Sequence, residues 1–209
     1  MKPIRDKMVN PTWEDLVNKS FTSNILMTAS ALYSQDEPGI QEYLIYGVCA
    51  TEVEVDILTG QQQILQVDIV EDTGDSMSPL IDIGQVIIIF FIAGIGYYTT
   101  EELIFNEDGK LLTNRTWNYR PSGAKDIPIN FRIKFPKNNP NPVGILRSKA
   151  VAEPPICLSC ALPLAIRNAV ASARTEADAT QPKWYPFNGP STVENTLLNC
   201  LNNYKQYVL

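Results

Sequence analysis

The stretch TEVEVDILTGQQQILQVDI, residues 51–69, decides the fold. In its first half, apolar residues alternate with acidic ones, at Val53, Val55 and Ile57. A period of two is typical of a strand with one buried face. After a turn at Thr59 and Gly60 comes a second alternating run, with apolar residues at Leu65, Val67 and Ile69. The two runs predict an antiparallel hairpin with its charged face in solvent.

Two later apolar segments predict the helices that cover this hairpin. Residues 86–95 form an apolar run of ten. A membrane-spanning helix needs roughly 20 such residues, so this run predicts a buried helix. Residues 156–173 repeat apolar side chains at helical spacing, and Pro163 within them should kink or split the helix.

Shorter elements complete the predicted fold. A helix is expected at residues 10–18, capped by Thr12, and another at residues 191–201, capped by Ser191. One further strand is expected at residues 129–135. The predicted fold is therefore α+β, with antiparallel hairpins packed on buried helices in one body of residues 1–209.

Composition and charge limit the classes of partner. The chain is 44% apolar and 19% charged, as in ordinary globular proteins. Its formal net charge is −6 and its basic residues are scattered, which argues against nucleic acid as a partner. The N-terminal residues lack the apolar stretch of a secretory signal. We therefore expect a cytoplasmic protein that does not bind a membrane.

The four cysteines, at irregular spacing, fit the reduced thiols of a cytosolic protein. Cys157 and Cys160 have the spacing of a redox pair or of half a zinc site. The chain has no second such pair and no histidine, so we predict that both are small apolar residues of a helix core and that the chain's own side chains bind no metal. The missing histidine also excludes a Ser-His-Asp centre within the chain.

Glu153 is the sharpest local feature, within RSKAVAEPP at residues 147–155. Pro154 and Pro155 restrict the backbone after it, so the carboxylate is held at the entrance of a helix. A general base needs such fixed placement. A carboxylate at this position also serves simply as a helix cap. The residues alone leave both roles open.

Three strings of the sequence stand in an informative order. They are VCATEVEVDILTG at residues 48–60, DTGDSMSPLIDIGQ at residues 72–85, and SKAVAEPP at residues 148–155. In this order they resemble the strand, the cofactor-binding loop and the most diagnostic string of the xanthine dehydrogenase and aldehyde oxidase family of molybdenum hydroxylases. The resemblance implies that Gln85 hydrogen-bonds the molybdopterin, that Ala152 lies in the cofactor site, and that Glu153 is the catalytic base beside the molybdenum.

The same resemblance implies the fold and activity of the C-terminal part of a molybdopterin-binding domain. Such an enzyme hydroxylates aldehydes or aromatic heterocycles with oxygen derived from water. Residues 112–121, 123–128 and 202–209 resemble the animal aldehyde oxidase branch more than xanthine dehydrogenase. FAD and 2Fe-2S clusters would lie in upstream regions of a full-length homodimer. On this view the chain is a fragment that is inactive without its upstream partner region.

Two departures from the family pattern support an alternative, a truncated or degenerate non-catalytic copy that at most associates with intact subunits. The family usually has glycine in place of Ala152, and an alanine there would be strained if the backbone required positive φ. After Gln85 the family usually continues with Val-Glu-Gly-Ala-Phe and reaches its following glycine one residue sooner than this chain, which has lost the first of these glycines and carries three isoleucines at residues 87–89. An extra residue would rotate the following helix by about 100°.

Overall fold

The computed structural model of the chain describes residues 2–30, 41–180, 182 and 184–202. The chain divides into two units, Met1–Ile40 and Gln41–Leu209. The first unit holds helices α1, Lys2–Arg5, and α2, Trp13–Thr22. Thr12 caps α2 as predicted, because its hydroxyl accepts a hydrogen bond from the amide of Asp15.

The second unit is built on a three-stranded sheet in the order β1-β2-β3, with strands at Gly47–Val55, Gln62–Glu71 and Asn130–Lys134. Strands β1 and β2 are antiparallel, which confirms the predicted hairpin. Strand β3 lies parallel to β2, and Gln66 pairs with Asn130. A parallel neighbour requires a long crossover connection, which residues 72–129 supply. The sequence predicted this strand but not its direction.

A β-bulge corrects one detail of the predicted alternation. Glu52 pairs with Gln66 whereas Val53 pairs with Ile64, so Leu65 is the extra residue of the bulge. Beyond the bulge, Val67 and Ile69 face the core as predicted, but on the other side of it Ile64 is buried in place of Leu65. The local insertion shifts which side chain points inward.

Two helical segments pack with the sheet. The first runs through α3, Pro79–Gly84, a π-helix at Gln85–Phe91, and α4, Ile92–Thr99. The second consists of α5, Glu153–Leu158, and α6, Ala161–Ala177, and both of its helices contact β1. The core includes Val67, Ile69, Val86, Phe91, Ile95, Leu162, Ile166 and Val170.

The long predicted helix divides in two, as expected, but not at Pro163. The break lies at Ser159 and Cys160, and Pro163 falls in the first turn of α6, where its missing amide costs no hydrogen bond. The last helix, α7, spans Val193–Asn199, and its cap is Thr192 rather than Ser191, because the Thr192 hydroxyl accepts from the amide of Asn195. Short 3₁₀ turns occur at Ala124–Asp126 and Ile145–Arg147.

The π-helix at Gln85–Phe91 coincides with the place where the sequence carries one residue more than the family pattern. Each turn of a π-helix spans one residue more than a turn of an α-helix, because its hydrogen bonds run from i to i+5. A widened turn can take in the extra residue that the resemblance implies. The helix continues into α4 without the break or reorientation that an insertion into a strict α-helix would impose.

Residues 79–99 and 153–177 are both long and apolar enough, by length and composition, to pass as membrane spans. Length and composition do not distinguish such spans from core helices. Both segments contribute core residues, and the rings of Phe91 and Phe131 on β3 lie 5.2 Å apart between centroids. Less than a third of each segment's most apolar window is buried in this chain, at 31% and 22%. Large apolar faces of these helices are thus left uncovered by the described residues.

Candidate functional site

Two loops that are distant in sequence are joined by backbone hydrogen bonds beyond the end of β2. Gly74 and Ser148 form an antiparallel bridge. The amide of Lys149 donates to the carbonyl of Thr73 at 2.9 Å, and the amide of Asp75 donates to the carbonyl of Arg147 at 2.8 Å. The structure therefore brings together residues 72–85 and 148–155, the two strings to which the resemblance assigned the cofactor-binding loop and the base.

Ion pairs reinforce this junction. Lys149 and Asp72 form an almost fully buried ion pair, with side-chain exposures of 11% and 7%. The Lys149 ammonium also donates to the carbonyl of Leu44 at 2.7 Å. Burial raises the pKa of Asp72, but the Lys149 ammonium and the amide of Gly74 outweigh burial, so that this pKa lies below its usual value. Asp72 is therefore ionised at neutral pH and holds Lys149, four residues before Glu153.

Asn141, which is 1% exposed, fixes the loop at residues 147–149 through two hydrogen bonds. Its side-chain amide donates to the carbonyl of Ser148 at 3.0 Å, and its backbone amide donates to that of Arg147 at 2.9 Å. Leu146 and Arg147 have φ of 48° and 63°, a conformation that is unfavourable for side chains of this size. Such strain persists only where the surroundings impose it, and it is common at functional sites.

Gly74 is the residue that lets the two loops approach each other. Its φ is +63°, and a Cβ at this position would lie 2.6 Å from the carbonyl oxygen of Arg147. Any other residue would be strained and would push the loops apart. Glycine is therefore required here by both conformation and space.

Gln85 lies at the junction of α3 and the π-helix and is half-buried. Its side-chain amide makes no hydrogen bond to any residue that the structure describes. The loop before it is oriented by Asp82, whose carboxylate accepts a hydrogen bond from the hydroxyl of Ser76. Asp82 therefore ties the loop at Ser76 to helix α3.

Glu153 is the first residue of α5 and is exposed. Among the described residues, its carboxylate has neither a hydrogen bond nor an ion pair. It thus makes no capping bond, although a negative charge in the first turn is favourable for the helix dipole. Ala152, which precedes it, has φ −83° and ψ −58°. This is ordinary right-handed backbone, so the alanine introduces none of the strain that its departure from the family pattern suggested.

Helix α5 packs against the π-helix, which places Gln85 and Glu153 at the starts of two elements in contact. Helix α5 also meets α4 closely at Gly94, where a Cβ would overlap the hydroxyl of Ser159 and lie 2.8 Å from its Cβ. The side-chain amide of Gln85 and the carboxylate of Glu153, which have no hydrogen-bond partner among the described residues, thus lie on two helices that pack against each other.

Glu71 is a buried group that the sequence reasoning missed. It is fully buried, and both of its carboxylate oxygens lack a hydrogen-bond partner among the described residues. Burial, followed by the charges of Asp82 and Asp72, raises the pKa of Glu71 to about 8. The strand alternation carried the signal, since Glu71 continues the inward-facing series of Val67 and Ile69.

The prediction that Cys157 and Cys160 belong to a helix core is wrong. Both thiols are free and exposed, where α5 ends and α6 begins. The break between the two helices turns these side chains outward, which a single continuous helix would not have done. Within the described part of the chain, no group of three or more histidine, cysteine or acidic side chains is placed to hold a metal ion.

Comparisons with known proteins agree with these features. A family model described as a molybdopterin cofactor-binding domain matches residues 2–128. Xanthine dehydrogenase of Dictyostelium discoideum is 34% identical over 98% of this chain, and probable aldehyde oxidase 2 of Oryza sativa subsp. japonica is 37% identical over 92%. The chain spans only 16% and 14% of the lengths of these relatives.

Solved structures show the same fold. CO dehydrogenase from Oligotropha carboxidovorans superposes with a TM-score of 0.63 at 17% identity, over 74% of this chain and 18% of that one. Aldehyde oxidoreductase from Desulfovibrio gigas superposes with a TM-score of 0.55 at 25% identity, over 75% and 15% of the two chains. The helices and small sheet described above are thus the architecture of these molybdopterin-binding proteins.

Proposed function

Because the chain belongs to the molybdopterin cofactor-binding domains of the molybdenum hydroxylases, we propose that it supplies part of the active site of an aldehyde oxidase. The reaction would hydroxylate aldehydes or aromatic heterocycles with oxygen derived from water. The observation that carries this proposal is the backbone junction between residues 73–75 and 147–149, which unites the Gln85 loop with the Glu153 loop.

The free side chains at the site fit a bound molybdenum cofactor. The Gln85 amide and the Glu153 carboxylate both lack partners among the described residues, so neither would have to break a bond to bind the cofactor or act on the substrate. Gln85 would hydrogen-bond the pterin, and Ala152 would lie beside the cofactor in an unstrained backbone. When bound, the cofactor would supply the two-electron oxidation.

The role proposed for Glu153 is proton removal. Its carboxylate begins a helix whose next two residues are prolines, so its backbone is restricted in the way that a general base requires. The buried Lys149–Asp72 pair anchors the loop four residues before it. Glu153 would accept the proton at its carboxylate oxygen while the rest of the enzyme excludes water.

The remaining centres would lie outside this chain. It spans about a sixth of the length of its relatives, and we propose that an upstream part of the same enzyme carries 2Fe-2S clusters, FAD and most of the substrate pocket. That part would also cover the exposed apolar side chains of Leu80 and Ile81, which are 85% and 62% exposed. The whole would be a cytoplasmic homodimer.

Replacing Glu153 by glutamine tests the proposal. In the full-length protein, Glu153→Gln should lower aldehyde turnover by roughly 10²- to 10⁴-fold, because the amide cannot accept the proton. Molybdenum content should not change, since the amide keeps the size of the side chain. Glu54→Gln, on the exposed face of β1, is the matched control and should leave turnover unaltered. Equal turnover in Glu153→Gln and wild type would remove Glu153 from the mechanism.

A non-catalytic copy is the second candidate, and the isoleucine block at residues 87–89 is the observation that favours it. The π-turn weakens this objection, because the extra residue is absorbed locally. Metal analysis separates the two candidates: a full-length product that holds no molybdenum and oxidises neither aldehydes nor xanthine is the inactive copy. Turnover of xanthine but not of aldehydes would instead assign the protein to the xanthine dehydrogenase branch.

A further inference from the structure

Cys157 and Cys160 lie together at the junction of α5 and α6. Both are exposed and neither is bonded to another cysteine. The amide of Cys160 donates to the carbonyl of Cys157 at 3.2 Å, so the two residues are the ends of one tight turn. The candidate cofactor site uses neither of them.

The turn has the dimensions that a disulfide needs. Ser159 and Cys160 have φ of −65° and −59° with ψ of −11° and −17°, close to a 3₁₀ turn. In such a turn, the side chains at positions i and i+3 lie above one another. The ends of a four-residue turn have Cα atoms less than about 7 Å apart, and disulfides span about 4.4–6.8 Å between Cα atoms. The separation of the two Cα atoms is therefore compatible with a disulfide.

Both thiols lie near the hydroxyl of Tyr98. The pKa of the Tyr98 hydroxyl is raised, first by burial and then by the nearby charges of Cys160, Tyr97 and Cys157. Two other cysteines are less suitable. Cys49 is half-buried on β1 against the hydroxyl of Thr51, and Cys200 is buried in the core.

We propose that Cys157 and Cys160 form a redox-modification site, a vicinal dithiol that a hydroperoxide converts to a disulfide. Hydrogen peroxide oxidises one thiol to a sulfenic acid and releases one water. The second thiol then attacks the sulfenic sulfur, the S–S bond forms as the S–O bond breaks, and a second water leaves. The two thiols lose two electrons and two hydrogens, and the peroxide O–O bond takes up both. Exposed thiols next to a resolving cysteine are the kind that react in this way.

Mass spectrometry of the full-length protein tests the site. Trypsin releases residues 150–167 as one peptide that holds both cysteines and neither Cys49 nor Cys200. After hydrogen peroxide and N-ethylmaleimide, this peptide should carry no label and be lighter than the reduced peptide by two hydrogens. A dithiol reductant should restore both labels, which distinguishes a disulfide from irreversible oxidation to sulfinic acid.

Cys49→Ser is the matched control and should form the same bridge. Cys160→Ser should leave Cys157 unbridged. Three results would overturn the proposal: retention of both labels after oxidation, a cross-link from either residue to the peptide that contains Cys49, or sulfinic acid as the sole product. Retention would show that the rest of the enzyme covers the turn.

Discussion

Glu71 shows how much a single residue can contribute to the pH dependence of this domain. It is buried at the end of β2 with no partner for either oxygen among the described residues, and its pKa is raised from 4.5 to about 8. Between these two pH values, the folded chain keeps a proton that the unfolded chain has released. The contribution of Glu71 to the free energy of unfolding is thus fully present below pH 4.5, and it is lost as the pH rises through about 8.

Glu71→Gln should remove this pH dependence. The amide has the same shape and cannot ionise, so variant and wild type should be similarly stable at acid pH. Above pH 8 the variant should be more stable, by on the order of a few kcal/mol. Urea unfolding at several pH values measures the difference, with Glu54→Gln on the exposed face of β1 as control. If the difference in unfolding free energy between the variant and wild type stays the same from acid to alkaline pH, folding does not raise the pKa of Glu71, and the group is charged in the folded protein at neutral pH.

At the scale of elements, the contact between α4 and α5 depends on a missing side chain. Gly94 faces Ser159 so closely that an added Cβ would overlap the serine hydroxyl, which itself donates to the carbonyl of Ile156 at 2.6 Å. Ser159 is completely buried and has no room to move aside. Because α5 begins at Glu153, the packing of α4 helps to set where that carboxylate lies.

Gly94→Ala should therefore lower both stability and turnover. Overpacking of this kind costs about 1–3 kcal/mol, and the displaced α5 would misplace Glu153. Gly123→Ala is the matched control outside the cofactor-binding loop, since a Cβ there would meet only a carboxylate oxygen of Asp126 at 3.7 Å, an ordinary contact, and the extended backbone should tolerate it. Thermal unfolding and aldehyde turnover of the two full-length variants make the comparison. Equal melting temperatures for the two variants would contradict the close packing.

Local sequence patterns predicted the helices and strands, whereas pairing between distant residues decided how these elements are arranged. The period of two identified the β1–β2 hairpin because both strands are neighbours in sequence. It could not reveal the bulge at Leu65, which interrupts the period itself, or the parallel direction of β3, which lies far along the chain. For the site, resemblance singled out Gln85 and Glu153, but only the folded chain shows that their loops are joined. The alternation of β2 already pointed Glu71 inward, but only the packed structure shows that both of its carboxylate oxygens lack a partner among the described residues.

At the scale of the whole molecule, apolar surface is the conspicuous feature. Leu80 and Ile81 are 85% and 62% exposed, on a helical segment that also supplies core residues. Neighbouring exposed apolar side chains, when they form a larger patch, mark interaction surfaces in soluble proteins. The proposed upstream part of the enzyme would cover them.

Leu80→Ser combined with Ile81→Ser tests this surface in two settings. In the isolated 209-residue chain, the polar pair should improve solubility and lower the binding of a hydrophobic dye, because less apolar area meets water. In the full-length enzyme, the same change should impair assembly and cofactor content. Leu198→Ser, equally exposed on α7 at 69%, is the control outside these segments. Normal assembly of the double variant would show that these residues face solvent in the enzyme.

The pairing of distant segments also sets the order in which the molecule is assembled during synthesis. The β1–β2 hairpin joins neighbouring residues, whereas Arg132 and Asp68 lie 64 positions apart and Lys149 and Asp72 lie 77 apart. Contacts between distant positions form slowly, because the intervening chain loses entropy before they stabilise it. The hairpin can thus form while the ribosome is still adding the residues that will meet its far end. The junction between residues 73–75 and 147–149 can close only after residue 149 has been added, and the bonds from Gln62 to Ser191 and Thr196, 129 and 134 positions away, close later still.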